Sequence, residues 1–227
     1  MPRARTSNQD YRQTAATENG SGCLSLFSLP IFAVLIITCL ITALSLSTPV
    51  ITLASPQSVS TAGISPIFTR EIQHWAGNIT RWANESSLDP NLVAVVMQIE
   101  SCGDPRAKSG AGAMGLFQVM PYHFLSGENP YNPDTNALRG LGYLARSLNT
   151  ARGNVRLALA GYNGGIGVIP RGEWTWASET LRYVYYGAPI YDDARAGLAS
   201  SPKLEEWYQK YGAGLCRQAG NRLGITP

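Results

Sequence analysis

Charge is scarce in this chain. Of its 227 residues 15% are Asp, Glu, Lys or Arg, and none of these occurs between Glu18 and Arg70. The formal balance of +3 is too slight to imply nucleic acid, and the arginines are scattered, without a basic stripe or interleaved aromatics. Histidine is scarcer still: His74 and His123 are the two present, and they supply no metal-ligand pattern, so no metal is expected. There is no phosphate or dinucleotide loop, no internal repeat and no alternating strand pattern. Those absences remove nucleotide-binding enzymes, solenoids and β-rich folds, and they leave a mainly helical chain without an evident cofactor.

The charge-free stretch contains residues 24–46, which are apolar apart from hydroxyl side chains, Cys39 and Pro30. As a helix these 23 residues would span roughly 35 Å, enough to cross a bilayer. Arg3, Arg5 and Arg12 precede the run, so the positive-inside tendency predicts a cytoplasmic tail over residues 1–23, a single-pass signal anchor over 24–46 and an extracytoplasmic remainder. A cleaved signal peptide is the alternative, against which stand the long leader and the length of the run. Residues 47–65, rich in Ser, Thr and Pro, read as a flexible stalk, and residues 66–227 as one globular domain. Of the four cysteines, Cys23 and Cys39 fall at the membrane segment, whereas Cys102 and Cys216 fall in the exported part. Outside the cell that pair can oxidise to a disulfide; two separate buried thiols are the other reading.

Within the domain, residues 89–118 are the most informative. Asp89 is a helix cap, Pro90 fits the first helical position, and Leu92, Val93, Val95, Val96, Met97 and Ile99 make the helix apolar over most of its circumference. Glu100 is the one ionisable residue set into that rod. It falls in the last turn, where the helix dipole and the apolar surroundings both disfavour a carboxylate, and a glutamate kept protonated near neutrality is a candidate general acid. A glutamate merely frayed into solvent is the plainer reading. Residues 109–115 are dense in glycine and alanine, a composition for tight turns and close backbone approach to a ligand.

Other segments read as helices of moderate length. Residues 67–84 place Phe68, Ile72, Trp75, Ile79 and Trp82 on one face of a single amphipathic helix. Asn132 and Pro133 start another, with Leu138, Leu141, Leu144 and Leu148 on one side, and Asn154 caps a shorter one that ends at Tyr162-Asn163-Gly164-Gly165. Residues 178–186 carry Glu179, Thr180 and Tyr183 on a further helix. Leu204, Trp207, Tyr208 and Tyr211 stand at core spacing in residues 202–211, and a last short helix holds Cys216.

Taken in order, Glu100-Ser101, Gly115-Leu116-Phe117-Gln118, Tyr162-Asn163 and Tyr183 resemble the soluble-type lytic transglycosylases, whose catalytic domain is related to goose-type lysozyme. Supporting matches are Ala107, Ser109, Gly112-Ala113, Pro121, Asn129-Pro130-Tyr131, Gly140 with Tyr143-Leu144, and Thr180 with Tyr183-Val184, over about residues 86–187. The resemblance implies an all-α lysozyme-like domain acting on the glycan strands of a bacterial cell wall, with no cofactor. It implies Glu100 as the single catalytic acid, Ser101 and Tyr183 holding it by hydrogen bonds, and Ser109, Gln118, Tyr162 and Asn163 holding the glycan. It further implies cleavage of the β-1,4 bond between N-acetylmuramic acid and N-acetylglucosamine with a 1,6-anhydro product. The chain departs from the pattern at Phe117, where Met is usual, at Gly161, where Ala is common and glycine is expected to loosen the helix end, and at Cys102, where a small residue is usual.

No firm second carboxylate accompanies Glu100: Asp104, before Pro105, reads as a turn cap, and Glu179 as an ordinary helix first-turn acid. Three alternatives stay open: a goose-type hydrolase that uses water, a non-catalytic wall-binding module, and a membrane scaffold for protein partners. No protein partner is legible, and residues 187–227 match no motif.

Overall fold

A computed structural model describes residues 63–225. The expected anchor, its cytoplasmic flank and most of the stalk lie outside the described residues, among which no helix is long and apolar enough to cross a membrane. Eight α-helices are described: α1 (Arg70–His74), α2 (Ala76–Glu85), α3 (Pro90–Ser101), α4 (Pro133–Thr150), α5 (Val155–Gly164), α6 (Ser178–Arg195), α7 (Pro202–Trp207) and α8 (Ala213–Leu223). A π-helical turn, Tyr208–Gly212, joins α7 to α8. No strand occurs among the described residues; isolated bridges pair Met114 with Lys108 and with Val119.

Helix α3 is the axis of the core. Asp89 caps it by accepting from Asn91 N at 2.8 Å, Pro90 occupies its first turn, and Leu92 to Gln98 are buried all round. It packs against α1, α2, α6 and α8, while α5 packs between α4 and α6. The caps expected at Asn132 and Asn154 are present, accepting from Thr135 N and Leu157 N at 3.0 Å each. Cys102 and Cys216 form a disulfide with their Cα atoms 5.0 Å apart, which fastens α8 to the residue that ends α3. The Glu71 carboxylate lies beside both sulfurs, but those sulfurs are spent on each other and are not thiolate ligands.

Several expectations need correction. The single helix over 67–84 is two, broken at Trp75, because the indole donates to Gly103 O at 3.0 Å and so anchors the break to the turn after α3. Ser65 belongs to the folded domain rather than to the stalk: it is buried, its N–H donates to Asn91 Oδ1, and its carbonyl accepts from Gln73. Leu138 is 65% exposed, whereas Leu141 and Leu144 are fully buried. Helix α6 runs on to Arg195 through Pro189, well past the expected end. Gly161 does not loosen α5; it is buried where a Cβ would stand 2.3 Å from Ser147 Oγ, and its absence lets α5 lie close on α4.

Candidate active site

Glu100 sits in the last turn of α3. Removal from water into apolar surroundings pushes its carboxyl up to about 8; the Tyr183 hydroxyl holds that rise back in part, and the Glu179 carboxylate adds to it. The side chain is half-buried, since it also lines a cleft. Tyr183 Oη is buried and meets no acceptor or donor within hydrogen-bonding geometry, so it acts on Glu100 as a nearby dipole rather than through a formed bond. Tyr162 and Tyr183 are both held protonated, first by burial and then by the Glu100 charge.

Opposite Glu100 lies the segment from Asp104 to Met120, which has almost no regular structure and is shaped by side chains. Asn136 on α4 accepts from Phe117 N and donates to Met114 O and Pro130 O, which uses both its amide hydrogens and its carbonyl oxygen. Ser101 donates to Leu116 O at 2.7 Å and accepts from Gly103 N. Its role is thus to hold this segment against the end of α3, and the expected bond from Ser101 to Glu100 is absent because the hydroxyl is already committed. Tyr162 Oη donates to Phe117 O at 2.7 Å. Phe117 in turn fits against Gly140, where a Cβ would come 2.6 Å from the phenylalanine Cβ.

Two hollows meet at Glu100, Asn163 and Glu179, which line both. The larger, about 430 Å³, takes in Ser109, Gln118, Tyr143, Tyr162 and Gly165. The smaller, about 200 Å³, takes in Arg182, Tyr183, Tyr186, Trp207 and Tyr211. A cleft with an acid at its waist is suited to a polymer laid across both halves. Thr180 donates to Asn163 Oδ1 at 2.9 Å, which leaves the amide NH2 as the group that Asn163 can offer. Gln118 has a left-handed backbone, φ 46°, and its NH2 gives one hydrogen to Gly115 O, so its carbonyl oxygen and its second amide hydrogen are left over. Ser109 Oγ accepts from Ala113 N and keeps its own proton to donate.

All four expected glycan-binding residues therefore line the larger hollow. Sequence reasoning missed its ring ladder: Tyr122, His123, Tyr143 and Tyr162 follow one another at centroid distances of 4.6, 4.9 and 5.9 Å. Burial and the neighbouring Arg146 lower the basicity of His123. Tyr143 stood within a matched motif and could have been found there; Tyr122 and His123 gave no signal. Also missed was the placement of Glu179 at the waist and of Tyr211 on the rim. Asp104, read as a turn cap, accepts from Arg106 N and is further held by Gln218 and Arg222 on α8, so it is engaged elsewhere.

Residues 77–175 match the family described as the transglycosylase SLT domain. The chain is 39% identical over 111 residues to a protein named transglycosylase from Enterobacteria phage PRD1, which is 48% of this chain and 40% of that one. It is 30% identical over 87 residues to membrane-bound lytic murein transglycosylase E of Buchnera aphidicola, covering 33% of this chain and 39% of that one. The chain thus spans about two fifths of the length of these curated relatives. A solved structure of lytic transglycosylase Slt from Pseudomonas aeruginosa aligns at a TM-score of 0.39 and 22% identity, over 66% of this chain and 24% of that one. That last likeness is too shallow to add to the family match.

Proposed function

From a chain that carries a transglycosylase SLT domain, we propose a membrane-anchored lytic transglycosylase of bacterial peptidoglycan, with Glu100 as its single catalytic acid. The observation that carries this reading is the placement of Glu100, with its carboxyl pushed up to about 8, at the waist of the cleft. A glutamate protonated at neutral pH can give its proton to the oxygen of the β-1,4 bond between N-acetylmuramic acid and N-acetylglucosamine. The 2-acetamido group of the muramoyl unit supports the positive charge that develops at C1, so no carboxylate nucleophile is needed. The Glu100 carboxylate then takes the proton of the muramoyl C6 hydroxyl, whose oxygen closes on C1 to leave a 1,6-anhydro end. The acid is regenerated and no water is consumed.

In this reading Tyr183 and Tyr162 keep Glu100 in a poorly solvated niche, while Ser109, Gln118 and Asn163 offer the donors and acceptor that an acetamido-bearing glycan can use. Ser101 contributes by positioning the backbone opposite the acid. Residues 1–23 form a cytoplasmic tail, 24–46 the anchor and 47–64 the stalk, which holds the domain outside the membrane; the membrane-bound relative and the charge-free run support this.

Mass spectrometry of muropeptides released from purified peptidoglycan by the full chain in detergent tests the proposal. Products with 1,6-anhydro ends are expected, and Glu100→Gln should lower their release at least about a thousandfold, as for loss of a principal acid in an otherwise intact site. Reducing ends, heavier by one water, would instead assign a goose-type hydrolase. A folded Glu100→Gln protein that still releases products would remove Glu100 from its role.

A further inference from the structure

The smaller hollow has a character of its own. Its walls come mostly from beyond the matched domain: α6 supplies Arg182 and Tyr186, and the α7 end with its π-turn supplies Trp207 and Tyr211. A π-turn puts an extra residue into the helix, a distortion that recurs at functional sites. Here its last residue is Gly212, where a Cβ would meet the Trp207 ring at 2.4 Å; glycine makes room for the indole, which lines the hollow and is 4% exposed. Tyr211 stands out on the rim, 52% exposed, edge-on to Tyr186 with the ring centroids 5.7 Å apart.

Over the Tyr211 ring, at 5.5 Å, lies the Arg182 guanidinium. Arg182 makes no ion pair among the described residues. The acids around it are otherwise engaged or out of reach: Glu206 is bound by both Lys203 and Lys210, Glu205 accepts from Gln209, and Glu179, one turn earlier on α6, lines the hollow without pairing with Arg182. An arginine held by an aromatic face, with its planar fork unspent, is a prepared receptor for a carboxylate.

We propose that this hollow binds a carboxylate on the lactyl-peptide arm of the muramoyl unit, with Arg182 as its ligand and Tyr211 as the platform that fixes the guanidinium. The inference rests on the proposed peptidoglycan substrate. In that polymer the acetamido sugars themselves are neutral, and the anionic groups are borne on the arm at muramoyl C3. A muramoyl unit reacting at Glu100 carries that arm beside the waist of the cleft, and the hollow that opens there offers a cation that no carboxylate pairs among the described residues. The larger hollow, lined by amide, hydroxyl and ring groups, suits the neutral backbone of the glycan instead.

The test uses the full chain on two substrates: native sacculi, and sacculi whose carboxylates have been converted to methylamides with carbodiimide and methylamine. Release of soluble anhydro products gives apparent KM and kcat. The expectation for Arg182→Gln on native sacculi is a rise of about fivefold in KM, the size of a partly exposed charge pair, with the loss falling on KM rather than kcat. Blocking the carboxylates should raise the wild-type KM by a similar factor and leave the variant where it was. Arg182→Lys, which keeps the charge but not the fork, should recover part of the loss, and Tyr211→Ala should reproduce part of it. A wild-type KM in Arg182→Gln, or blocking that affects both proteins equally, overturns the inference while the transglycosylase reading stands. Should a variant fail to fold, the wild-type protein on blocked sacculi decides alone: an unchanged KM overturns the proposal. Wild-type protein that releases no anhydro product from native sacculi refutes the activity, and this inference with it.

Discussion

The two walls that face each other across Glu100 are held by different physics. The wall of the larger hollow, residues 104–120, is irregular backbone whose shape is dictated by a few side-chain hydrogen bonds, chiefly from Asn136, Ser101 and Tyr162. The wall of the smaller hollow is helical. It satisfies its own backbone, packs by apolar contact of Trp207 and Leu204, and is fastened by a disulfide at Cys216. Irregular backbone can present donors and acceptors to a ligand from many directions, but it depends on single buried polar groups that have no substitute. A helical wall spreads its stability over many contacts and degrades gradually.

The sharpest way to expose that contrast is Asn136→Ala. The change orphans Phe117 N, takes from Pro130 O its bond and leaves Met114 O only the one from Val119 N; one buried donor without a partner and two carbonyls each short of a bond should cost about 3–4 kcal/mol in denaturant unfolding. A cost under about 1 kcal/mol would mean that the irregular wall does not rest on this one amide. On the helical side, Cys102→Ala with Cys216→Ala opens a loop of 114 residues, and the native disulfide should be worth about 2–4 kcal/mol. The folded double variant should keep its pH profile of cleavage, since the bridge acts on α8 and not on the carboxyl of Glu100; an altered profile would show that the two walls are coupled through the bridge.

Glu100 itself stands between the walls, and its titration reads the niche they make. Its carboxyl is pushed up from 4.5 to about 8, so in the folded protein it holds a proton that the unfolded chain has already released between those values. The sign follows directly: stability is full below about 4.5 and is lost as pH rises through about 8. With a discount for partial exposure, the loss between pH 5 and 9 should be about 2 kcal/mol, and Glu100→Gln should flatten it in thermal melts. Activity should share the upper limit, with kcat/KM falling as pH rises through about 8. A profile flat to pH 9.5 would show the niche to be wetter than its apolar lining implies.

What could be read in advance was what depends on neighbours in sequence. Asp89, Asn132 and Asn154 cap helices through backbone groups two or three residues away, and the apolar rod from Leu92 to Ile99 with Glu100 at its end is a local pattern. The groups at Ser109, Gln118, Tyr162 and Asn163 came from motif order. What escaped was set by contacts distant in sequence. Nothing near Ser101 reveals that its hydroxyl will meet Leu116 O rather than Glu100. Trp75 breaks a periodic helix because Gly103 waits for its indole, and Leu138 keeps the period of its helix on a side that no other element covers. Tyr211 follows Trp207 at core spacing, yet the π-turn between them leaves one buried and carries the other to the rim. A period of 3.6 residues cannot anticipate a turn that departs from it.

The smallest effect should come from Gly161, at the seam where α5 brings Tyr162 and Asn163 to the larger hollow. On helix propensity alone, alanine there should stabilise by up to about 1 kcal/mol. The space decides otherwise: a Cβ at 161 would lie 2.3 Å from Ser147 Oγ and 2.6 Å from Ile169 Cδ1, and Ser147 cannot easily yield, because its hydroxyl donates to Ala158 O from a fully buried position. Overpacking of this kind costs about 1–3 kcal/mol, so Gly161→Ala should destabilise by about 1 kcal/mol net. The shift it forces on α5 should also displace Tyr162 from Phe117 O, and with it the irregular wall, so product release should fall more than stability alone accounts for. If Gly161→Ala instead raises the melting temperature and leaves cleavage intact, the seam between α4 and α5 is more pliable than the irregular wall it supports, and the two sides of the cleft are less different than their construction implies.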